Sequence, residues 1–137
     1  MKKKAKYTPK KLTVVAYMAL IAIGVLLEIG RWHSVSNESF VLITEEIDSH
    51  LSNFTISFML YLGMGYPWIL LGAKVRSIAI LGLFIGVANF MCETLMAFMN
   101  TIDVVDAIYG IIGTMLGFVF LLIVIEYGLQ KNKSTVE

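Results

Sequence analysis

Residues 77–127, SIAILGLFIGVANFMCETLMAFMNTIDVVDAIYGIIGTMLGFVFLLIVIEY, decide the fold of this chain. They contain two apolar runs, 77–100 and 104–127, which are separated by only three residues. A helix needs about 20 apolar residues to cross the hydrocarbon of a bilayer, so each run is long enough to span it. Two further runs of this kind, 12–30 and 51–73, precede them. The sequence therefore predicts four transmembrane helices in one bundle.

The composition of the whole chain excludes an ordinary soluble protein. Of its 137 residues, 58% are hydrophobic and 15% are charged, whereas soluble domains average about 45 to 50% and about 25%. Transmembrane β-barrels are built from roughly ten-residue segments of alternating polarity, and the apolar runs here do not alternate. We therefore predict an all-α, polytopic membrane protein, with residues 1–137 as a single domain and the lipid bilayer as its main partner.

Charge and cysteine content exclude two further classes of protein. The net charge is only +1, with no basic surface free of the predicted membrane spans, which argues against nucleic-acid binding. Cys92 is the only cysteine, which excludes a disulfide scaffold, and we expect this side chain to be buried as a small apolar group. The sequence has no nucleotide-binding loop, nucleophile elbow or zinc signature. We therefore predict no cofactor and no metal.

The distribution of lysine and arginine predicts how the helices are oriented. Ten of the eleven basic residues flank the spans on one side, and short loops rich in these residues stay in the cytoplasm. Both termini are therefore predicted to be cytoplasmic, in a bacterial plasma membrane, with residues 31–50 as an extracytoplasmic loop. Residues 40–43 of this loop are apolar and predict a short interfacial helix. Arg31 is then the one basic residue predicted on the outer side.

The third and fourth predicted helices carry acidic residues near their outer ends. Glu93 lies within the third span, where a carboxylate that faces lipid is costly. We expect it to point into the bundle, together with Asn89 one turn earlier. Asp103 and Asp106 open the fourth helix, and polar residues of the first two helices reach the same level. These observations predict one polar pocket at the outer leaflet, formed by Glu28, Arg31, Asp48, His50, Asn89, Glu93, Asp103 and Asp106.

Glycines form a stripe on each of the last two helices. Their spacing of three or four residues places them on one helical face, and such stripes let transmembrane helices approach closely. Because the two helices run antiparallel and are joined by a short turn, we expect the two stripes to pack against each other. The residues of this predicted contact are Gly82, Gly86, Gly110, Gly113 and Gly117.

Residues 93–117, ETLMAFMNTIDVVDAIYGIIGTMLG, resemble the VanZ-like family of bacterial membrane proteins. The shared features are an acidic residue late in one helix, an Asp-x-x-Asp pair that opens the next, and glycines after it. Asp48 and His50 stand in a place comparable to a second family motif. The family is named for a protein that lowers susceptibility to teicoplanin, a glycopeptide that acts outside the cell, so the resemblance implies a role in the cell envelope and in antibiotic resistance. The residues that match the family's acids are Glu93, Asp103 and Asp106.

Three kinds of function are consistent with this pattern. The first is a binding protein that recognises an envelope lipid or another amphiphile at the outer leaflet. The second is a membrane enzyme in which Glu93 or Asp106 acts as a base or metal ligand, with His50 assisting. The third is a small exporter coupled to protons or cations, in which a carboxylate inside the membrane titrates. The concentration of polar residues at the outer end favours the first, and a homo-oligomer is left open.

Overall fold

A computed structural model describes residues 5–36, 45–95 and 102–132 of the chain. The described part is mostly helical, as the sequence predicts, and it also contains two short strands. A single turn of π-helix at Val124–Gly128 extends the last long helix. In chain order the elements are β1 (Tyr7–Pro9), α1 (Lys11–Ser36), α2 (Glu45–Leu70), α3 (Val75–Leu95), α4 (Val104–Ile123) and β2 (Leu129–Lys131).

Helix α2 is the centre of the bundle and packs against each of the other three helices. Its most extensive contact is with α4, and α3 packs against α4 as well. Helix α2 contributes the largest share of the apolar core, and α3, α4 and the turn that extends α4 contribute the rest. The largest fully buried apolar members of the core are Tyr61, Leu62, Ile69, Ile78, Leu121 and Val124.

Among the described residues, three segments are long and apolar enough to cross a membrane: Lys11–His33, Val75–Leu95 and Val104–Gly128. At most a third of each apolar window is buried inside the bundle, and on α3 the side chains of Leu83 and Phe84 are 69% and 70% exposed. Such broadly apolar, outward-facing helices are typical of contact with lipid. Helix α2 is not among the three. It packs against all three other helices and needs less apolar surface than they do, although Ile56 and Leu60 still face outward. Its membrane crossing stays a prediction.

The two ends of the described chain meet in a small antiparallel sheet. Thr8 pairs with Gln130, between the pairs Tyr7 with Lys131 and Pro9 with Leu129. The starting end of α1 and the final end of α4 are therefore adjacent. The described chain is mostly helical, in agreement with the all-α prediction, but the two strands were not predicted, because three-residue strands are too short to give a recognisable alternation of polar and apolar residues.

The helix ends differ from the predicted spans at the loop and the turns. Helix α1 continues to Ser36 and α2 begins at Glu45, so most of the predicted loop 31–50 is helical. The interfacial helix expected at 40–43 lies outside the described residues, as do residues 96–101 after α3. A turn at 71–74 joins α2 to α3, and Gly72 adopts a φ of 97° there, which side chains with a Cβ rarely tolerate.

The glycine stripe of α4 packs mainly against α2. A methyl group on Gly113 would collide with the backbone carbonyl oxygen of Phe54, and one on Gly117 would lie 2.7 Å from a ring carbon of Tyr61. Both neighbours belong to α2, which therefore occupies the place that the sequence assigned to α3. Close backbone approach between transmembrane helices is the usual role of such glycines.

The glycine stripe of α3 does not face the stripe of α4. Gly82 packs against the ring of Tyr61 in α2, whereas Gly86 has no neighbouring atom within 4 Å of where a methyl group would lie. Only Gly110 of α4 meets α3, through the amide of Asn89. The expectation that the two stripes pack on each other is therefore wrong, because α2 lies against both helices.

Cys92 is exposed, and the prediction that it is a buried apolar residue is wrong. It lies on α3, whose outer surface carries large apolar side chains that face away from the bundle. A small, weakly polar thiol can face lipid at little cost, so its size and polarity did not decide its position.

Candidate functional site

His50, Asp103 and Asp106 converge at the end of the bundle opposite the small sheet. His50 lies in the second turn of α2, and the two aspartates lie at the start of α4. His50 Nδ1 is 2.7 Å from Asp106 Oδ1 and 3.8 Å from Asp103 Oδ2. One side-chain donor atom from each residue lies within 4.8 Å of the others. We call this group the outer cluster.

Asp103 is held in place because it caps helix α4. Its backbone is extended, with φ −138° and ψ 103°, and its side chain accepts hydrogen bonds from the first turn. Oδ1 accepts from the N–H of Val105 at 2.8 Å and from the N–H of Asp106 at 3.4 Å. Aspartate is among the best residues at this position, since it satisfies amides that have no partner within the helix. The second oxygen, Oδ2, faces His50.

Asp106 and His50 connect α4 to α2 through a hydrogen bond between Oδ1 and Nδ1. Their side chains are only 18% and 15% exposed, whereas that of Asp103 is 36% exposed. The positive end of the α4 dipole also favours a carboxylate in the first turn. The ring of Tyr109 lies 5.4 Å from the imidazole. The cluster is thus partly sheltered, hydrogen-bonded and negative when His50 is neutral.

Glu93 is 7% exposed, which confirms the prediction that it turns away from lipid. Its backbone carbonyl oxygen accepts a hydrogen bond from the N–H of Asp103 at 3.1 Å, so the end of α3 is fixed to the start of α4. Its carboxylate does not belong to the donor atoms that converge in the outer cluster. Glu93 therefore adjoins the cluster through its backbone.

Glu28 and Arg31 of α1 contact α2 beside His50. Glu28 Oε2 accepts a hydrogen bond from Ser52 Oγ at 3.2 Å, and Arg31 Nη2 donates to the carbonyl oxygen of Ser49 at 3.2 Å. Glu28 Oε1 is buried and has no hydrogen-bond partner within the part of the chain that the structure describes. These contacts attach the C-terminal half of α1 to the start of α2.

Asn89 and Asp48 have different positions from those predicted for pocket residues. Asn89 Nδ2 donates to the backbone carbonyl oxygen of Ala107 at 3.1 Å, so this amide joins α3 to α4. Asp48 lies within the first turn of α2, and its side chain is outside what the structure describes. Of the predicted pocket residues, the structure thus brings together the side chains of His50, Asp103 and Asp106, joins Glu93 to Asp103 through the backbone, and gives Asn89 a bond between helices.

The contact between α1 and α2 at Glu28 and Arg31 was not predicted from the sequence. Glu28 bonds the side chain of Ser52, and a polar residue on each helix was a readable signal for this bond. Arg31 bonds the backbone carbonyl oxygen of Ser49, which any residue offers, so the sequence carries no signal for that bond.

Two apolar grooves lie along the sides of the helices, between the outer cluster and the small sheet. One, of about 490 Å³, runs between α3 and α4 and includes Gly86 in its lining. The other, also about 490 Å³, lies between α1 and α4 with α2 behind it, and we call it the α1–α4 groove. Its lining residues are Leu20, Ile23, Gly24, Leu27, Phe54, Thr55, Phe58, Leu116, Val119, Phe120 and Ile123.

Comparisons with protein-family models, curated proteins and solved structures find no match to this chain. The resemblance to the VanZ-like family therefore stays a prediction that rests on the quoted residues. The class that the structure itself supports is a mostly helical protein with three segments able to span a membrane.

Proposed function

We propose that this chain is a multi-pass protein of the bacterial plasma membrane that recognises an amphiphilic envelope component at the outer leaflet. The outer cluster binds the polar headgroup, and the α1–α4 groove accommodates an apolar chain. As a VanZ-like protein, it lowers susceptibility to glycopeptide antibiotics. The observation that carries the proposal is the position of a polar cluster directly beyond an apolar groove.

Helical spacing aligns the cluster with the groove. On α2, Phe54 and Phe58 line the groove and follow His50 by four and eight residues, which places all three on one face. On α1, Gly24 lines the groove one turn before Glu28. A molecule with a polar head and an apolar tail would place its head at the outer cluster and its tail in the α1–α4 groove.

The positions of the basic residues support the proposed orientation. The sheet brings both described chain ends to one end of the bundle, and the N–H of Lys6 donates to the carbonyl oxygen of Leu70 at 2.9 Å. The turn between α2 and α3 is therefore at that end too. Short segments rich in lysine and arginine favour the cytoplasmic side. The described basic residues in these segments are Lys6, Lys10, Lys11, Lys74, Arg76 and Lys131.

The proposal is tested by measuring teicoplanin susceptibility in a sensitive bacterial host that expresses the chain. Asp106→Asn and His50→Gln should each return the inhibitory concentration to that of cells without the protein. The first removes a negative charge from the outer cluster, and the second removes its imidazole. Glu126→Gln, an exposed carboxylate at the opposite end, is the control and should keep the wild-type effect. Immunoblots must show equal amounts of protein in the membrane.

A matched pair of variants tests the groove. Leu27→Trp enlarges a side chain that lines the α1–α4 groove, whereas Val25→Trp enlarges one on the same helix outside it. We expect only Leu27→Trp to reduce the resistance. Resistance that persists in Asp106→Asn and Leu27→Trp at normal protein levels would contradict the proposal, as would a wild-type chain that gives no resistance.

A second candidate function is a membrane enzyme, which the hydrogen bond between His50 and Asp106 favours. A carboxylate that orients an imidazole is a common arrangement for general-base catalysis. Turnover of membrane lipids by the purified protein, lost in His50→Gln, would support the enzyme. The exporter hypothesis receives less support, because Glu28 and Glu93 both lie toward the outer ends of their helices.

A further inference from the structure

We propose that the outer cluster is a binding site for a divalent metal ion of the zinc class. The ligands are His50 Nδ1, Asp103 Oδ2 and Asp106 Oδ1. The inference uses the same site as the proposed function and deepens it, since the ion supplies the group that contacts a headgroup. The sequence predicted no metal because the three ligands do not form a local motif; two helices bring them together.

The two separations that involve His50 are close to those around a tetrahedral ion, and one donor atom from each of the three residues lies within 4.8 Å of the others. Zinc bonds of about 2.0 to 2.1 Å place two ligands of a tetrahedron about 3.3 Å apart. His50 Nδ1 lies 2.7 Å and 3.8 Å from the two carboxylate oxygens, values on either side of that separation. Donor shifts of about half an ångström would bring both separations to the ideal value.

The two oxygens of Asp103 have separate roles, so metal binding does not compete with helix capping. Oδ1 accepts the hydrogen bonds of the first turn of α4. Oδ2 faces His50 and is the oxygen assigned to the ion. The ligands thus come from the start of one long helix and the second turn of another, and both are rigid supports.

Binding of the ion changes the position of one proton. In the metal-free site, the N–H at Nδ1 of a neutral His50 donates a hydrogen bond to Asp106 Oδ1. Coordination needs the Nδ1 lone pair, so this proton moves to Nε2 and the imidazole stays neutral. If His50 is an imidazolium, the Nδ1 proton is released to water instead.

Electrostatics favour a cation at this place. The positive end of the α4 dipole amounts to about half an elementary charge, which the two full negative charges of Asp103 and Asp106 exceed. Imidazole together with carboxylate suits zinc-class ions, whereas Mg²⁺ and Ca²⁺ prefer an all-oxygen set. We therefore expect Zn²⁺ to bind more tightly than Mg²⁺ or Ca²⁺.

The site leaves room for a further ligand. Three protein ligands complete only part of a tetrahedral shell, as in zinc sites that bind substrate or water in the fourth position. The three side chains are between 15% and 36% exposed, so the cluster is open to the outside. The fourth position suits an oxygen of a phosphate or carboxylate headgroup, which assigns an anionic amphiphile to the proposed function.

Metal binding can be measured on the purified full-length chain in detergent, after removal of metal with a chelator. Equilibrium dialysis against Zn²⁺ should give one tightly bound ion per chain. Co²⁺ should give a visible absorption spectrum of tetrahedral type. His50→Gln, Asp106→Asn and Asp103→Asn should each weaken Zn²⁺ affinity more than about tenfold, a lower bound set by the loss expected even for supporting residues.

Three controls separate ligation from folding. Asparagine caps a helix about as well as aspartate, so Asp103→Asn should keep the thermal stability of the metal-free protein. His33→Gln alters the other histidine, which lies at the end of α1, and Glu126→Gln alters a distant carboxylate. Both should bind Zn²⁺ as the wild type does, which would exclude adventitious binding.

Two results would overturn the metal site: a wild-type chain that binds much less than one Zn²⁺, or affinity that is unchanged in the three cluster variants. Both are independent of antibiotic susceptibility. A protein that binds Zn²⁺ and gives no resistance would keep the metal site and contradict only the proposed function. Resistance without Zn²⁺ binding would do the reverse.

Discussion

Gly113 and Gly86 are both glycines inside long helices, but their surroundings differ. Gly113 lies against the backbone carbonyl of Phe54, and Gly86 borders an open groove. A backbone atom cannot move aside as a flexible side chain can. The absence of a side chain at Gly113 is therefore what permits the contact between α2 and α4.

This difference predicts unequal effects of the same substitution. Gly113→Ala should force α2 and α4 apart and lower the free energy of unfolding by about 1 to 3 kcal/mol, as overpacking of a core does. Gly86→Ala meets no neighbour and should be neutral or stabilise by up to about 1 kcal/mol through helix propensity. Thermal unfolding of the purified protein in detergent measures both. Equal losses would contradict the described packing of α4 on α2.

At the scale of single residues, the sequence predicts the burial of Glu93 but not the burial state of Cys92 or the partners of the polar side chains. The burial of Glu93 follows from the cost of a carboxylate in lipid, which is independent of the rest of the fold. The bond between His50 and Asp106 depends on how α2 and α4 are rotated against each other. That rotation is fixed by the close approach at Gly113 and Gly117, which spacing alone did not assign to α2.

At the scale of secondary-structure elements, the four helices are predictable and the sheet is not. Long apolar runs give a strong helical signal. The strands contain only three residues each, and each is defined by a partner at the other end of the chain. The helix ends were also misplaced, since polar residues such as Arg31 and His50 marked a predicted loop but continue the helices.

The sheet predicts a specific cross-link between the ends of the chain. Paired residues of antiparallel strands have Cα atoms about 4.5 to 5.5 Å apart, which lies within the range of about 4.4 to 6.8 Å for disulfides. Thr8→Cys with Gln130→Cys, in a Cys92→Ala background, should therefore form an intrachain disulfide on mild oxidation. The bond should raise the unfolding free energy by about 2 to 4 kcal/mol.

Gel migration with and without reductant detects this cross-link. Ser49→Cys with Gln130→Cys is the matched control. Ser49 lies near the start of α2, at the end of the bundle opposite the sheet, so this pair should give no intrachain bond. A disulfide of equal yield in both pairs, or none with Thr8→Cys, would be inconsistent with the sheet.

At the scale of the whole molecule, α2 has a different environment from the other helices. It contacts α1, α3 and α4, and it supplies more of the buried apolar residues than any other helix. On the faces that contact its neighbours, α2 can carry serine, tyrosine and histidine, which would be costly against lipid. The sequence could predict a bundle from apolar length, but it could not identify the central helix, which depends on packing.

Labelling of single cysteines tests whether α2 crosses the membrane and in which direction. In a Cys92→Ala background, Ser49→Cys should react with an impermeant thiol reagent in intact cells. Gln130→Cys should react only after permeabilisation, because the sheet lies at the predicted cytoplasmic end. Reaction of Gln130→Cys in intact cells would reverse the orientation. Identical accessibility of the two cysteines would contradict the crossing of α2.

The sheet also sets the order in which the molecule can be completed during synthesis. The ribosome makes β1 before the four described helices and β2 after them, so β1 has no partner strand until the last of these helices has been made. A chain that stops before β2 leaves the β1 backbone without this partner. Proteolysis near Tyr7 would therefore distinguish chains that contain β2 from chains that lack it.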